Sequence, residues 1–312
     1  MNLFGEKMKT NIRRLMTPSI FRWRMIRTLL CLVLVFLLTG CAATPPLIQI
    51  PPPTPSQSLP IPTSTLAPTH TFTPIASLEP SPTPLIGSVI SICSPLAEIA
   101  LGDLHSITSQ GFTPSTAFQD DGHPGVDLAF FTFADLPSMY GHPVQAILPG
   151  KVVLVIENRF PYGSMLLVET PLEWVDDTVL PTGAIPTPIP QDNIDMFSPC
   201  ANDPLYANIA PIEMSTDSRS LYVLYSHLQD KPAYTPGDMV SCGEIIGAVG
   251  LTGNTVAEHL HLEIRIGPSD AEFNTFAMYK PDATIEERYY YCNWSTSGRF
   301  QPIDPSLFWK ME

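Results

Sequence analysis

The chain of 312 residues carries 16 Lys and Arg against 30 Asp and Glu, a net charge of −14, and 35 prolines. Seven basic residues and one acidic residue lie in the first forty positions, so the remainder holds nine against twenty-nine, a balance of −20. A phosphate backbone is repelled by such a surface, and no basic patch offsets this, which argues against nucleic acid as a partner.

The amino-terminal stretch contains Lys7, Lys9, Arg13, Arg14, Arg22, Arg24 and Arg27, and an apolar run over 29–38 ends in Leu38-Thr39-Gly40-Cys41. That run is shorter than the roughly 20 residues of a membrane-spanning helix, and a small residue precedes the cysteine. The segment resembles a bacterial lipoprotein signal. The resemblance implies a signal peptide at 1–40, a lipid on Cys41, and an exported protein anchored to the membrane through that lipid, facing the exterior of the cell envelope.

Residues 41–88 form a Pro/Thr/Ser-rich linker in which Glu79 is the only charged side chain. Proline fixes φ and removes hydrogen-bond donors, so no core can form. The segment reads as a disordered but extended spacer of polyproline character, reaching roughly 100–140 Å at about 3.1 Å per residue.

Residues 89–312 are the size of one domain. A short helix is expected over 94–104, with Ser94 as N-cap and Pro95 in the first turn. Strands are expected over 143–148, 151–157, 164–169, 221–228, 244–249 and 259–266, where β-type residues run between turn signals such as Pro149-Gly150 and Pro236-Gly237-Asp238. No long amphipathic helix is evident, so the expected fold is mainly β, an antiparallel sheet domain. An insertion of about 171–220 separates two of the strands. The aromatic run Tyr289-Tyr290-Tyr291-Cys292-Asn293-Trp294 reads as packing rather than as a ligand site.

Cys31 and Cys41 belong to the signal region, leaving Cys93, Cys200, Cys242 and Cys292 in the domain. An even number in an exported chain suggests two disulfides, with three pairings open. Zinc ligation by thiols is the competing reading, but none of the four stands in a CxxC pair.

Three segments carry chemistry: His123-Pro124-Gly125-Val126-Asp127, Leu224-Tyr225-Ser226-His227-Leu228 and Glu258-His259-Leu260-His261-Leu262-Glu263. Alternate residues of a strand share a face, so His259 and His261 stand with Glu263 and Arg265, while Leu260, Leu262, Ile264 and Ile266 line the other side. This predicts a half-buried strand with one chemical face, on which Glu263 and Arg265 read as supporting or salt-bridged residues. Pro124-Gly125 disfavours a helix, so His123 and Asp127 converge by a bend. A catalytic zinc takes three imidazole or carboxylate ligands and keeps one position open, and these segments supply that set. His70, His105 and His142 have no partner at a telling spacing.

Together with Val249-Gly250-Leu251-Thr252-Gly253-Asn254, these segments resemble the signatures of the lysostaphin-like, or LytM-like, zinc metallopeptidases of peptidase family M23. The likeness spans about residues 120–267. It implies a compact β domain with a zinc-containing groove and hydrolysis of stem or bridge peptides of bacterial peptidoglycan. It further implies one zinc held by His123, Asp127 and His261, with His227 and His259 as the unliganded catalytic pair. Val256-Ala257-Glu258 departs from the small or proline residue that often precedes the HxH pair in the family, which bears on substrate preference. Two other readings compete: a noncatalytic wall-binding or regulatory module, against which the complete set of histidines argues, and a zinc peptidase acting on extracellular proteins.

Overall fold

The computed structural model describes residues 92–131, 138–180, 182–278 and 282–309. The signal, Cys41, the linker and His70 lie outside the described residues.

The architecture is antiparallel β. The strands are β1 (Thr108–Gln110), β2 (Gly125–Leu128), β3 (Pro143–Gln145), β4 (Gly150–Arg159), β5 (Gly163–Pro171), β6 (Arg219–Leu228), β7 (Met239–Val240), β8 (Ile245–Ala248), β9 (Leu260–Pro268) and β10 (Gln301–Ile303). Among the described residues, seven run in the order β1-β2-β9-β6-β5-β4-β7, and β10 pairs with the second half of β9. β3 and β8 form a separate ribbon. Each strand expected from the sequence is present, within a few residues at its ends.

Period-two alternation builds two cores, one on each face of the large sheet. Leu221, Val223 and Tyr225 of β6 join Leu260, Leu262, Ile264 and Ile266 of β9 in one cluster. Tyr222 and Leu224 face the other way, where they meet Trp294, Phe273, Phe276 and Phe300. The expectation of a half-buried β9 is therefore corrected, since the strand is buried on both faces from Leu260 to Gly267. Its chemical face is covered by helix α3 (Ile285–Thr296), which follows the shorter α1 (Gln191–Phe197) and α2 (Pro199–Asn202).

α3 begins with a reciprocal cap: Thr284 Oγ1 accepts the Glu287 amide at 3.1 Å, and Glu287 Oε2 accepts the Thr284 amide at 2.8 Å. The aromatic run lies within this helix and packs Tyr290, Tyr291 and Trp294 in the cluster on this face of the sheet, although Tyr291 also lines the cavity described below.

The helix expected over 94–104 is absent. Leu96 makes an isolated bridge to Val144, Glu98 takes a left-handed φ of 64°, and only a 3-10 turn at Leu101–Ser106 is helical. Tertiary pairing overrides the local signals, because backbone bonds between Ala97 and Pro143 and between Gln145 and Pro95 hold the segment extended.

Disulfides Cys93–Cys242 and Cys200–Cys292 select one of the three pairings. The second ties α2, inside the insertion, to α3. Between β5 and β6 the insertion contributes 3-10 turns, α1 and α2. No helix of the described residues is long and apolar enough to cross a membrane.

Candidate metal centre and active site

β2 pairs with β9 so that Asp127 stands opposite His261 and Gly125 opposite Glu263. Asp127 Oδ1 lies 2.8 Å from His261 Nδ1 and 3.1 Å from His123 Nε2, and the two ring nitrogens are 3.2 Å apart. His123 reaches the cluster from just before β2, where it bridges Thr113, so the pair His123 and Asp127 converges without a helix. The close approach of β2 to β9 beside the pair requires Gly125. A Cβ there would stand 2.9 Å from His261 Cε1 and 2.5 Å from the Leu262 carbonyl oxygen.

The donor set fits zinc. At bonds of 2.0–2.1 Å, tetrahedral ligand atoms lie about 3.3 Å apart, close to the spacing found. His123, Asp127 and His261 are also the one His/Cys/Asp/Glu group among the described residues compact enough for a metal. Asp127 is driven upward by burial but held well below the usual carboxylate range by the hydrogen bonds of His123 and His261. His261 loses proton affinity by burial and more than regains it from Asp127 and Glu263. A proton and a cation thus compete for the same position between the ligands.

His227 and His259 lie beside this group with ring centroids 4.7 Å apart. His227 follows Ser226, which pairs with His261, so strand alternation would send its ring into the opposite core. Its left-handed φ of 59° turns it back to the site. For a residue with a Cβ that conformation is strained by about 1–2 kcal/mol. His227 Nδ1 donates to the Thr252 carbonyl at 2.8 Å, and His259 Nδ1 donates to the Ala257 carbonyl at 2.9 Å. A carbonyl only accepts, so in the neutral form each ring carries its hydrogen on Nδ1 and offers Nε2 as the acceptor. His259 Nε2 is 3.6 Å from Asp127 Oδ1. Burial, reinforced by the neighbouring histidines, lowers the His227 pKa to about 3, which keeps the ring neutral.

The five residues open onto a cavity of about 740 Å³ whose described lining contains no Lys or Arg. A smaller cavity of about 220 Å³ shares Asp120, Met278 and Tyr291 with it and is walled by Pro199, Asp203 and Tyr206 of the insertion. The insertion therefore borders the extension and not the main groove. Glu258 is half-buried between the cavity-lining Ala257 and His259 and accepts from Ser138 Oγ at 2.8 Å. His105 and His142 hydrogen-bond to carbonyls of Gly102 and Ala97, and the four cysteines are paired in disulfides. Sequence reasoning missed Tyr162, whose hydroxyl donates to Glu263 at 2.8 Å, because the β4–β5 turn that carries it has no motif. It also missed Thr252 as the partner of His227, although Thr252 sits within the glycine-rich segment.

Residues 206–273 match peptidase family M23. No curated protein matches the chain. Among solved structures, lysostaphin, the antimicrobial peptidase from Staphylococcus simulans, is similar at 19% identity and a TM-score of 0.34, covering 72% of this chain and 55% of that one. The catalytic domain of the prophage-encoded M23 protein EnpA from Enterococcus faecalis, solved as a point mutant, is similar at 19% identity and a TM-score of 0.28, with 61% and 90% covered. A zinc-containing peptidase from Vibrio cholerae is similar at 20% identity and a TM-score of 0.27, with 50% of this chain and 32% of that chain covered. The chain thus spans about a third of the length of the Vibrio protein. The family match contains His227, His259 and His261, and β-pairing adds His123 and Asp127 to the same site. Over residues 206–273, which hold three of these five side chains, the chain is similar to peptidase family M23.

Proposed function

We propose that the protein is a zinc-dependent endopeptidase that hydrolyses peptide bonds of bacterial cell-wall peptidoglycan, with one zinc per domain. The observation that carries this reading is the convergence of His123 Nε2, Asp127 Oδ1 and His261 Nδ1 within 2.8–3.2 Å of one another, beside two histidines that remain outside the trio. A zinc ion held there supplies Lewis acidity toward the scissile carbonyl and toward a water molecule.

The remaining chemistry belongs to the side chains. His259 holds a carbonyl through Nδ1 and turns Nε2 toward the ligand group, so Nε2 is the atom that takes the proton of the attacking water and returns it to the departing amine. His227 also presents an acceptor, and its low pKa keeps it from donating to an oxyanion in the ground state. It is assigned to hold and orient the water's second hydrogen. Peptidoglycan as substrate comes from the resemblance of the three motifs. A groove without Lys or Arg supports a neutral or cationic peptide over the anionic polymers of the wall. The same reading places a lipid on Cys41, with 42–88 as the spacer that carries the domain to wall material.

Purified peptidoglycan fragments and a panel of protein substrates, incubated with the protein and analysed by mass spectrometry, test this function. Cleavage of stem or bridge peptides that stops on chelation is expected. Cleavage of proteins alone would redirect the substrate assignment, and full hydrolysis by metal-free protein would end the zinc reading.

A further inference from the structure

On the chemical face of β9, His261, Glu263 and Arg265 follow one another at alternate positions. Glu263 is fully buried and Arg265 is 1% exposed. Charges so deep persist only when paired and hydrogen-bonded. Arg265 Nε donates to Glu263 Oε1, and its Nη1 donates to the carbonyls of Trp294 at 2.9 Å and Phe300 at 3.0 Å. The guanidinium lies over the Trp294 ring, 5.0 Å from its centroid. Trp294 Nε1 in turn donates to the Tyr162 hydroxyl at 3.2 Å, and that hydroxyl donates to Glu263 Oε2 at 2.8 Å. The contacts form a closed ring: Trp294, Tyr162, Glu263, Arg265 and back to Trp294.

His261 Nε2 borders this ring. It is buried without a hydrogen-bond partner, and Glu263 Oε2 is 3.5 Å away. Which nitrogen of an imidazole is free to bind a metal depends on what holds the other. A carboxylate beside Nε2 favours the hydrogen there and leaves the lone pair on Nδ1, the atom that faces Asp127 and His123.

We propose that this ring is the positioning device of the metal centre. Glu263 fixes the tautomer and orientation of His261, and Tyr162, Arg265 and Trp294 fix Glu263. Helix α3 is thereby part of the metal site's support, although it lies outside the segment matched to the family. The inference rests on the zinc reading above. A merely structural ion pair would stabilise the core without selecting the ligand atom.

The test uses the full chain and zinc itself, with affinity read by competition against a chromophoric chelator at a temperature where every variant is folded. Glu263→Met is expected to weaken zinc binding about 10–100-fold, the usual loss when the partner of a metal-binding histidine is removed. Glu263→Gln keeps an acceptor oxygen and should retain more of the affinity than Glu263→Met. Tyr162→Phe and Trp294→Phe each remove one link of the ring while keeping an aromatic ring, and both should weaken binding. Tyr222→Phe is the control, a buried tyrosine whose hydroxyl bonds Glu169 and the Pro268 carbonyl instead. It should leave zinc affinity unchanged. Should a Glu263 variant fail to fold, the Tyr162 and Trp294 variants still decide the matter. Zinc affinities of the ring variants within twofold of wild type, or an equal loss in Tyr222→Phe, overturn the positioning role. A wild-type protein that binds no zinc overturns the proposed function and this inference with it.

Discussion

His259 and His261 are separated by one residue and are assigned different work. His261→Ala removes one of three ligand atoms and should lose both zinc and turnover. His259→Ala should keep zinc while turnover falls by about 10²–10⁴, the usual contribution of a positioned acid or base. Elemental analysis of the two variants separates the roles: loss of zinc in both would make His259 a ligand. His227 carries a prediction of a different kind. Its folded pKa is about 3, below the unfolded value of about 6.5, so between these values the unfolded chain binds a proton that the native one does not. The stability due to neutral His227 is complete above pH 6.5 and is lost as the pH falls toward 3. Urea midpoints of zinc-free protein should therefore drop between pH 6.5 and 5, and His227→Asn, which tolerates the left-handed backbone, should flatten that slope. An unchanged slope would show that His227 is not the group responsible. The sequence disclosed that this histidine exists within a strand. It could not disclose the φ of 59° that turns the ring onto the site, because that depends on where β6 stops pairing with β9.

At the scale of elements, β9 was legible because its alternation of Leu and Ile with His, Glu and Arg is a period-two signal. β2 was not, since Pro124-Gly125 reads as a turn and only four residues form the strand. Yet the pairing of β2 with β9 brings Asp127 to His261, and Gly125 lies against the His261 ring. Gly125→Ala places a methyl group against the His261 ring and the Leu262 carbonyl, so it should lower zinc content while the rest of the sheet survives. Wild-type zinc stoichiometry in that variant would mean the two strands can separate without disturbing the ligands. α3 escaped detection for another reason. Its polar and aromatic residues are not gathered on one face, so the helical period is weak, although Thr284 and Glu287 spell a capping box three residues apart. Thr284→Ala should destabilise the domain by about 1 kcal/mol in chemical unfolding.

For the whole molecule, four cysteines announced two disulfides, but pairing is a matter of tertiary distance and was left open until the chain was folded. The Cys200–Cys292 bridge closes a separation of 92 residues and holds the insertion against α3, whose Trp294 donates to the Tyr162 hydroxyl. Its removal by the paired change Cys200→Ser and Cys292→Ser should reduce stability by about 2–5 kcal/mol and open the insertion to proteolysis. Cys41 belongs to a separate part of the chain. The residues after position 40 carry a balance of −20, which gives no attraction to an anionic membrane surface, so the membrane anchoring proposed above rests on the lipid proposed for Cys41 alone. Cys41→Ser should release or mislocalise the protein while leaving its hydrolytic activity intact, because the metal ligands lie more than eighty residues further along the chain. Detergent partitioning of wild type and variant, with mass spectrometry of the amino-terminal peptide, measures this directly. Equal partitioning and no lipid mass on Cys41 would replace the lipoprotein anchor with another route to the envelope, and would leave the zinc site and its chemistry untouched.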